Sequence, residues 1–432
     1  MKRLAAAFLV VLLAACSAVR GSETPGPAVE ATRADAAARV PATAVPAAPV
    51  ALASMEPASA DSPPDAAGSY LLDTSTGALY FASPLLDGVW SPDGGVIAFA
   101  RCCSGDGFID LLDVRGAVAR RVATGDVRDL AWSPDGSKLA FVPMNEFQAG
   151  TGVRVMARDG SRVQAVVSHM GAGDPRWLDE DRIAYTVGLP NADEPAFYLA
   201  RLSDPGQQRR LDREEPPGVL DPRVIFGSPS ADGAWVVYFD GPYRRGEGRS
   251  VAWERSSRRL IELAPRLVLA HWAGATHRAL LLSIDGPTGL ALAEVVDFAS
   301  GRGAPVPGGF ESRWAADAQT VVHLGYQCRD GAPGGETEVF ATIPGGPGRN
   351  VSRTPGEVEY ALAPAPDRGA VAFAAKAGDA GAWRLTVADL GTTAVHMSFD
   401  LRLPVQLRDG AWSPDGRYLL FTLGAGPGGA CE

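Results

Sequence analysis

Four aspartates stand at one fixed offset from a recurring tryptophan. Asp87, Asp129, Asp174 and Asp409 each lie three residues before Trp90, Trp132, Trp177 and Trp412, and Glu311 holds the same offset from Trp314. Carboxylates gathered on one rim would offer hard oxygen ligands to a cation such as calcium, or attract a cationic ligand. The recurrence also suits a plainer task, because aspartate hydrogen-bonds the backbone of a preceding turn. A second chemistry lies in the thiols Cys102, Cys103, Cys328 and Cys431. They lack the Cys-x-x-Cys spacing of a tetrathiolate zinc site, so a disulfide joining Cys431 to Cys102 or Cys103 is the expected use. The five histidines, His169, His271, His277, His323 and His396, form no His-Glu-x-x-His pattern. His323 is expected to be packed. No catalytic residue is assigned.

These residues are positioned by a repeat. Trp90-Ser91-Pro92-Asp93-Gly94 runs into Val96-Ile97-Ala98-Phe99, and the same string returns at Trp132-Ser133-Pro134-Asp135-Gly136 and at Trp412-Ser413-Pro414-Asp415-Gly416. Worn copies occupy 177–185, 229–238, 272–281, 314–323 and 364–373, making eight copies spaced by 42 to 52 residues. Asp-Gly between two apolar runs is a strong hairpin signal, since glycine supplies positive φ without strain. The motif aspartates Asp93, Asp135, Asp232 and Asp415 are therefore expected to be turn formers. Each copy precedes two more strand-like runs, such as 108–114 and 118–122. Four short antiparallel strands per repeat make the blade of a β-propeller. The eighth copy is followed only by a Gly-rich tail, while two unassigned strand runs, 70–73 and 78–82, precede the first. The expected fold is all-β: an eight-bladed propeller over 68–432, closed by N-terminal strands that complete the last blade. A seven-bladed ring, lacking the copy at Trp272 or Trp314, is the alternative.

The Trp-Ser-Pro-Asp-Gly string followed by a short apolar strand resembles the repeat of TolB and related propellers, strongly in three copies and less so in the rest. The resemblance covers most of 68–432. TolB adds an N-terminal α/β domain, a place taken here by a low-complexity stretch. The same repeat occurs in prolyl oligopeptidase-type enzymes, where the propeller is attached to a hydrolase. No hydrolase domain is expected here, and the chain contains no Gly-x-Ser-x-Gly.

Ahead of the repeats, Met1-Lys2-Arg3 precedes an apolar run over 4–15. That run is shorter than the ~20 residues a membrane-spanning helix needs, and its charged start and small-residue end fit a secretory signal over 1–15. Leu13-Ala14-Ala15-Cys16 resembles the lipobox of bacterial lipoproteins, which implies a lipidated Cys16. Residues 17–67 are dominated by Ala, Pro, Ser and Thr and are too poor in large apolar side chains to bury a core. The segment 16–67 is expected to be a disordered tether reaching roughly 40 Å.

A formal charge of −10 and a pI near 5.1 argue against a nucleic-acid or anionic-membrane binding face. The expected protein is an exported monomer, lipid-anchored to the bacterial envelope at the outer membrane or cell surface. It would bind an envelope protein or peptide through variable loops on a rigid ring. A cation-dependent propeller hydrolase or lyase, using calcium at the acidic rim, and a carbohydrate-binding propeller are the alternatives.

Overall fold

A computed structural model of the chain describes residues 50–51 and 66–424, apart from 86–87, 102–106, 117, 189–195, 212–224, 241–247, 265–267, 285–290, 307–310, 330–331, 355 and 378–381. Eight antiparallel sheets follow one another along the sequence, and the copies at Trp272 and Trp314 each build a sheet of their own. The ring has eight blades. From blade one to blade eight the innermost strands are Gly88–Trp90, Val127–Trp132, Ala172–Trp177, Ser228–Pro229, Val268–Trp272, Ser312–Trp314, Glu357–Pro364 and Val405–Gln406.

Blade eight is made from both ends of the folded region. Its inner strands are Val405–Gln406 and Tyr418–Leu423, and its outer strands are Gly68–Asp73 and Ala78–Ser83. Gly68–Asp73 pairs with Tyr418–Leu423 over six residues, from Gly68 opposite Leu423 to Asp73 opposite Tyr418. The buried Asp73 carboxylate accepts a hydrogen bond from Arg417 at 2.9 Å, which locks the seam. Blade one carries a fifth strand: Val50–Ala51, inside the segment expected to be a tether, pairs with Ala119 and Val118 on its outer edge. The rest of the segment up to residue 65, Cys16 included, lies outside the described residues.

The motif explains its own hairpin. In the first copy the Ser91 hydroxyl donates to Asp93 and accepts from the Val96 N–H, while Gly94 N–H closes the turn on Ser91 O. The same hydroxyl-to-carboxylate bond recurs at Ser133–Asp135, Ser230–Asp232 and Ser413–Asp415. Gly94, Gly136 and Gly233 all sit at φ 67° and Gly416 at 66°, the left-handed region where glycine has no steric penalty. In the worn copy of blade six Ala318 takes this place at φ 52°, a strain of roughly 1 kcal/mol or more. The expectation that the motif aspartates form turns is met.

The tryptophan has a second task, between blades. The indole N–H of Trp90, Trp132, Trp177, Trp272, Trp314 and Trp412 donates to the carbonyl of Ala411, Val89, Ala131, Ser228, His271 and Ala363 respectively. In every case the acceptor precedes the motif position of the previous blade, so each indole staples one inner strand to the next. At 2.8 Å and buried, the Trp412 bond is the clearest example. Trp412→Phe keeps an aromatic ring and strands the Ala363 carbonyl, and should destabilise the ring by about 1–3 kcal/mol. A urea midpoint unchanged from wild type would show that the staple contributes nothing.

The apolar cores lie in the seams between blades. Ile109, Leu111, Leu139 and Phe141 fill the seam of blades one and two, and Val153, Val155, Ile183 and Tyr185 that of two and three. Two copies replace the tryptophan with Pro229 and Pro364, so the seams entering blades four and seven lack the staple. The seam of blades six and seven is also polar. Glu338 and Glu359 are buried within it, and a cleft of about 460 Å³ opens beside its hairpins, bordered by Asp317, Arg349, Asp367 and Arg368.

Candidate functional site: the charged channel mouth

The inner strands surround the ring axis, so the residues at their leading ends form the mouth of the central channel. Asp129 and Asp174 take positive φ, 53° and 46°. Both sit where strand register slips, between Arg128 and Ala131 and between Gly173 and Arg176. Aspartate tolerates the left-handed conformation better than most residues, and a bulge re-aims the side chains around it. Asp129 then spans two blades, its carboxylate accepting the Asp174 N–H at 3.1 Å.

Each described aspartate of the arc faces a guanidinium. Arg128 Nε lies 3.2 Å from Asp129 Oδ2, and its Nη2 donates to Ala172 O on blade three. Arg176 Nε donates to Asp174 Oδ1 at 3.0 Å. Arg313 Nε donates to Asp409 Oδ1 at 2.6 Å. This last pair joins blade six to blade eight and so bridges the end of blade seven at the channel mouth. Asp409 does not stand on a strand as its offset suggested. It lies in residues 407–411, where pairing is interrupted between Val405–Gln406 and the isolated bridge of Trp412 to Leu419.

Glu311 turns away from the arc into the wall of blade seven, where its Oε1 accepts the Leu362 N–H at 3.4 Å. Burial pushes its carboxyl up to about 7, against the pull of Arg313. His271, on the inner strand of blade five, is held below the ordinary histidine value, first by burial and then by the Arg313 charge, with Asp409 opposing.

The structure gives the carboxylates of the arc different partners. Asp129 and Asp174 meet across blades two and three, Asp409 is tied to blade six, Glu311 is withdrawn, and Asp87 lies outside the described residues. Among the described residues no three His, Cys, Asp or Glu side chains gather in a way that could hold a metal ion. The guanidiniums supply countercharge to Asp129, Asp174 and Asp409. Cys102, Cys103 and Cys431, the candidate disulfide, also lie outside the described residues.

Sequence reasoning passed over Arg176, His271 and Arg313. All three precede a motif tryptophan, at Trp177, Trp272 and Trp314. Successive strand residues alternate between faces, so that position shares a face with the one two residues earlier. Aligning the copies at both offsets would have exposed Asp174 with Arg176 and Glu311 with Arg313.

Apolar side chains accompany the charges. Val89, Leu269 and Tyr360 on inner strands remain over a third exposed. Phe147, 80% exposed, and Met170, 59% exposed, sit on neighbouring loops joined by the Gly171 N–H to Gly150 O bond of 2.8 Å. Met144 N–H bonds Asp126 O, which puts the Phe147 loop at the leading end of Val127–Trp132, beside Asp129.

Eight blades, seven of four strands and one of five, carry a repeat that resembles that of TolB and are sealed between the N- and C-terminal strands, which defines the chain as an eight-bladed β-propeller with a charged mouth. No family model and no curated protein matches the sequence. Among solved structures, the dihydro-heme d1 dehydrogenase NirN aligns with a TM-score of 0.51 at 15% identity, covering 77% of this chain and 73% of that one. Dipeptidyl peptidase 4 of Porphyromonas gingivalis aligns at 0.49 and 12% identity, over 73% of this chain and 52% of the peptidase. A putative TolB from Agrobacterium tumefaciens aligns at 0.33 and 14% identity, over 83% and 99%. The chain spans about half the length of the peptidase. At these identities the likeness is one of fold.

Proposed function

We propose that the chain is a lipid-anchored envelope protein whose propeller binds a protein or peptide segment at its channel mouth. The observation that carries this reading is the composition of the mouth. Paired guanidiniums and carboxylates line the mouth, and the loops of blades two and three at the same end carry the exposed Phe147 and Met170. Apolar anchors with a polar surround suit recognition of a peptide. The order Leu13-Ala14-Ala15-Cys16 supports anchoring, and an acidic chain has no reason to seek nucleic acid.

The test is crosslinking in the native cells followed by fractionation. Wild-type protein is expected in the membrane fraction with a discrete crosslinked partner. Cys16→Ser should move it to the soluble fraction, and Phe147→Ser with Met170→Ser should remove the partner while leaving the protein at the membrane. Equal crosslinking by the double variant would overturn the mouth as the binding face. A Cys16→Ser protein still in the membrane fraction would overturn the anchor.

A further inference from the structure

We infer that Arg313 is the receptor for a carboxylate of the bound peptide, and that Asp409 occupies this receptor when no peptide is present. The inference rests on the binding reading above and names the chemistry of its ligand.

The two partners are held very differently. Arg313 belongs to the inner strand Ser312–Trp314, which pairs with His323, Val322 and Val321. Its side chain is 25% exposed, and its Nη1 donates to Ser312 O at 2.9 Å. Asp409 is 64% exposed, on a stretch whose flanking Leu407 and Ala411 are buried and which is held by the Ala411 N–H to Arg408 O turn bond at 3.0 Å and the Leu420 N–H to Ala411 O bond at 2.7 Å. The guanidinium is therefore fixed on a paired strand, whereas the Asp409 carboxylate is a solvent-exposed side chain free to rotate off it.

The contact is also incomplete. Guanidinium and carboxylate can form two parallel bonds. Only Nε to Oδ1 is made here, and Nη2 of Arg313 has no hydrogen-bond partner among the described residues. A carboxylate approaching freely from the channel can take both positions, which Asp409, tied to its own turn, does not. Exposed ion pairs are weakly held and readily exchanged. The occupant is itself a carboxylate, so the site already accommodates that group.

The surroundings leave Arg313 available. Glu311 titrates near 7, raised by burial, and so leaves Arg313 largely unneutralised on the acidic side of that value. Arg128 and Arg176 are each engaged by an aspartate one or two residues away in sequence. Asp409 alone comes from a distant blade, 96 residues along the chain.

The experiment retains synthetic peptide pools on the immobilised full-length protein and reads them by mass spectrometry. Three random decapeptide pools are compared: free carboxyl termini, amidated termini, and amidated termini with one fixed central aspartate. Wild type should retain the free-terminus pool above the amidated one if the carboxylate is terminal, or the aspartate pool if it is a side chain. Asp409→Asn should raise that retention about tenfold. Arg313→Gln should erase the preference, and Arg313→Lys, which keeps the charge without the fork, should be intermediate. Equal retention of all pools, unaffected by Arg313→Gln or Arg313→Lys, overturns the assignment of Arg313 and leaves the binding reading standing. Weaker retention by Asp409→Asn overturns the stand-in role. No retention of any pool by any variant overturns both.

Discussion

Alanine at either Leu71 or Leu72 is expected to destabilise the protein by about 2–5 kcal/mol, and alanine at both should leave little folded protein at 37 °C. The two residues are adjacent on Gly68–Asp73, so their side chains leave the strand on opposite faces. Leu72 enters the seam of blades seven and eight with Leu79, Leu385, Leu401 and Leu419. Leu71 enters the seam of blades eight and one with Ile97, Phe99, Leu112 and Leu420. Both are fully buried. One strand therefore seals the ring on both sides, and no covalent bond supports it among the described residues. Loss of either seam opens the circle and exposes the edge of Tyr418–Leu423, an invitation to intermolecular pairing. Because the seams meet at one strand, the double variant should fall short of or exceed the sum of the singles. Chemical denaturation read by tryptophan fluorescence measures the effect. A Leu71→Ala protein as stable as wild type would mean that the ring does not depend on this closure.

Glu359→Gln should remove a large part of the protein's pH dependence. Glu359 is 1% exposed in the seam of blades six and seven, where its Oε1 accepts from the Thr354 hydroxyl. Glu338, also buried, accepts from the Thr354 N–H and the Ser352 hydroxyl, so both carboxyls converge on one short connection. Glu338 Oε1 and Glu359 Oε2 have no hydrogen-bond partner among the described residues. Burial first, and then the Glu338 charge, push Glu359 from 4.5 to about 7, against the Thr354 bond that favours the anion.

Between these values the folded protein holds a proton that the unfolded chain has released. The stabilisation is fully present below 4.5 and is lost as the pH rises to about 7. For one glutamate this amounts to about 3 kcal/mol. Glu311, pushed up to about 7 by its own burial, acts in the same direction. Asp93 acts oppositely. Although burial raises it, the Arg158 guanidinium and the Ser91 hydroxyl hold it at about 2, so its contribution is lost as the pH falls toward that value. Stability should therefore peak on the acidic side of neutrality. Glu359→Gln mimics the protonated acid and should match wild type at pH 5 while exceeding it at pH 8. Urea midpoints at the two values decide the matter, and the same pH dependence in variant and wild type would show that Glu359 does not bind this proton.

The mouth and the polar seam differ in how much of them the chain discloses. Asp129 and Asp174 were found from their offset to a tryptophan, because a repeat maps position in sequence onto position around the ring. Arg176, His271 and Arg313 obey the same mapping one step from the tryptophan, and were legible had that column been aligned. Glu338 and Glu359 follow no column. They lie on the third strand of one blade and the first of the next, and meet only through packing.

Local chemistry decided the hairpins, the eight sheets and the closing of the ring. Ser-Pro-Asp-Gly satisfies its own turn, strands alternate apolar and polar residues, and the spare runs at the two ends are complementary. Those interactions act over a few residues or repeat with a fixed period, so they can be read along a line. Tertiary structure alone decided the contacts of the mouth that cross from one blade to another. Asp409 meets Arg313 because the ring carries blade eight to within reach of blade six, and Glu311 turns inward because blade seven presents the Leu362 N–H. Coulomb attraction depends on distance through space and on burial, and neither is a property of sequence separation.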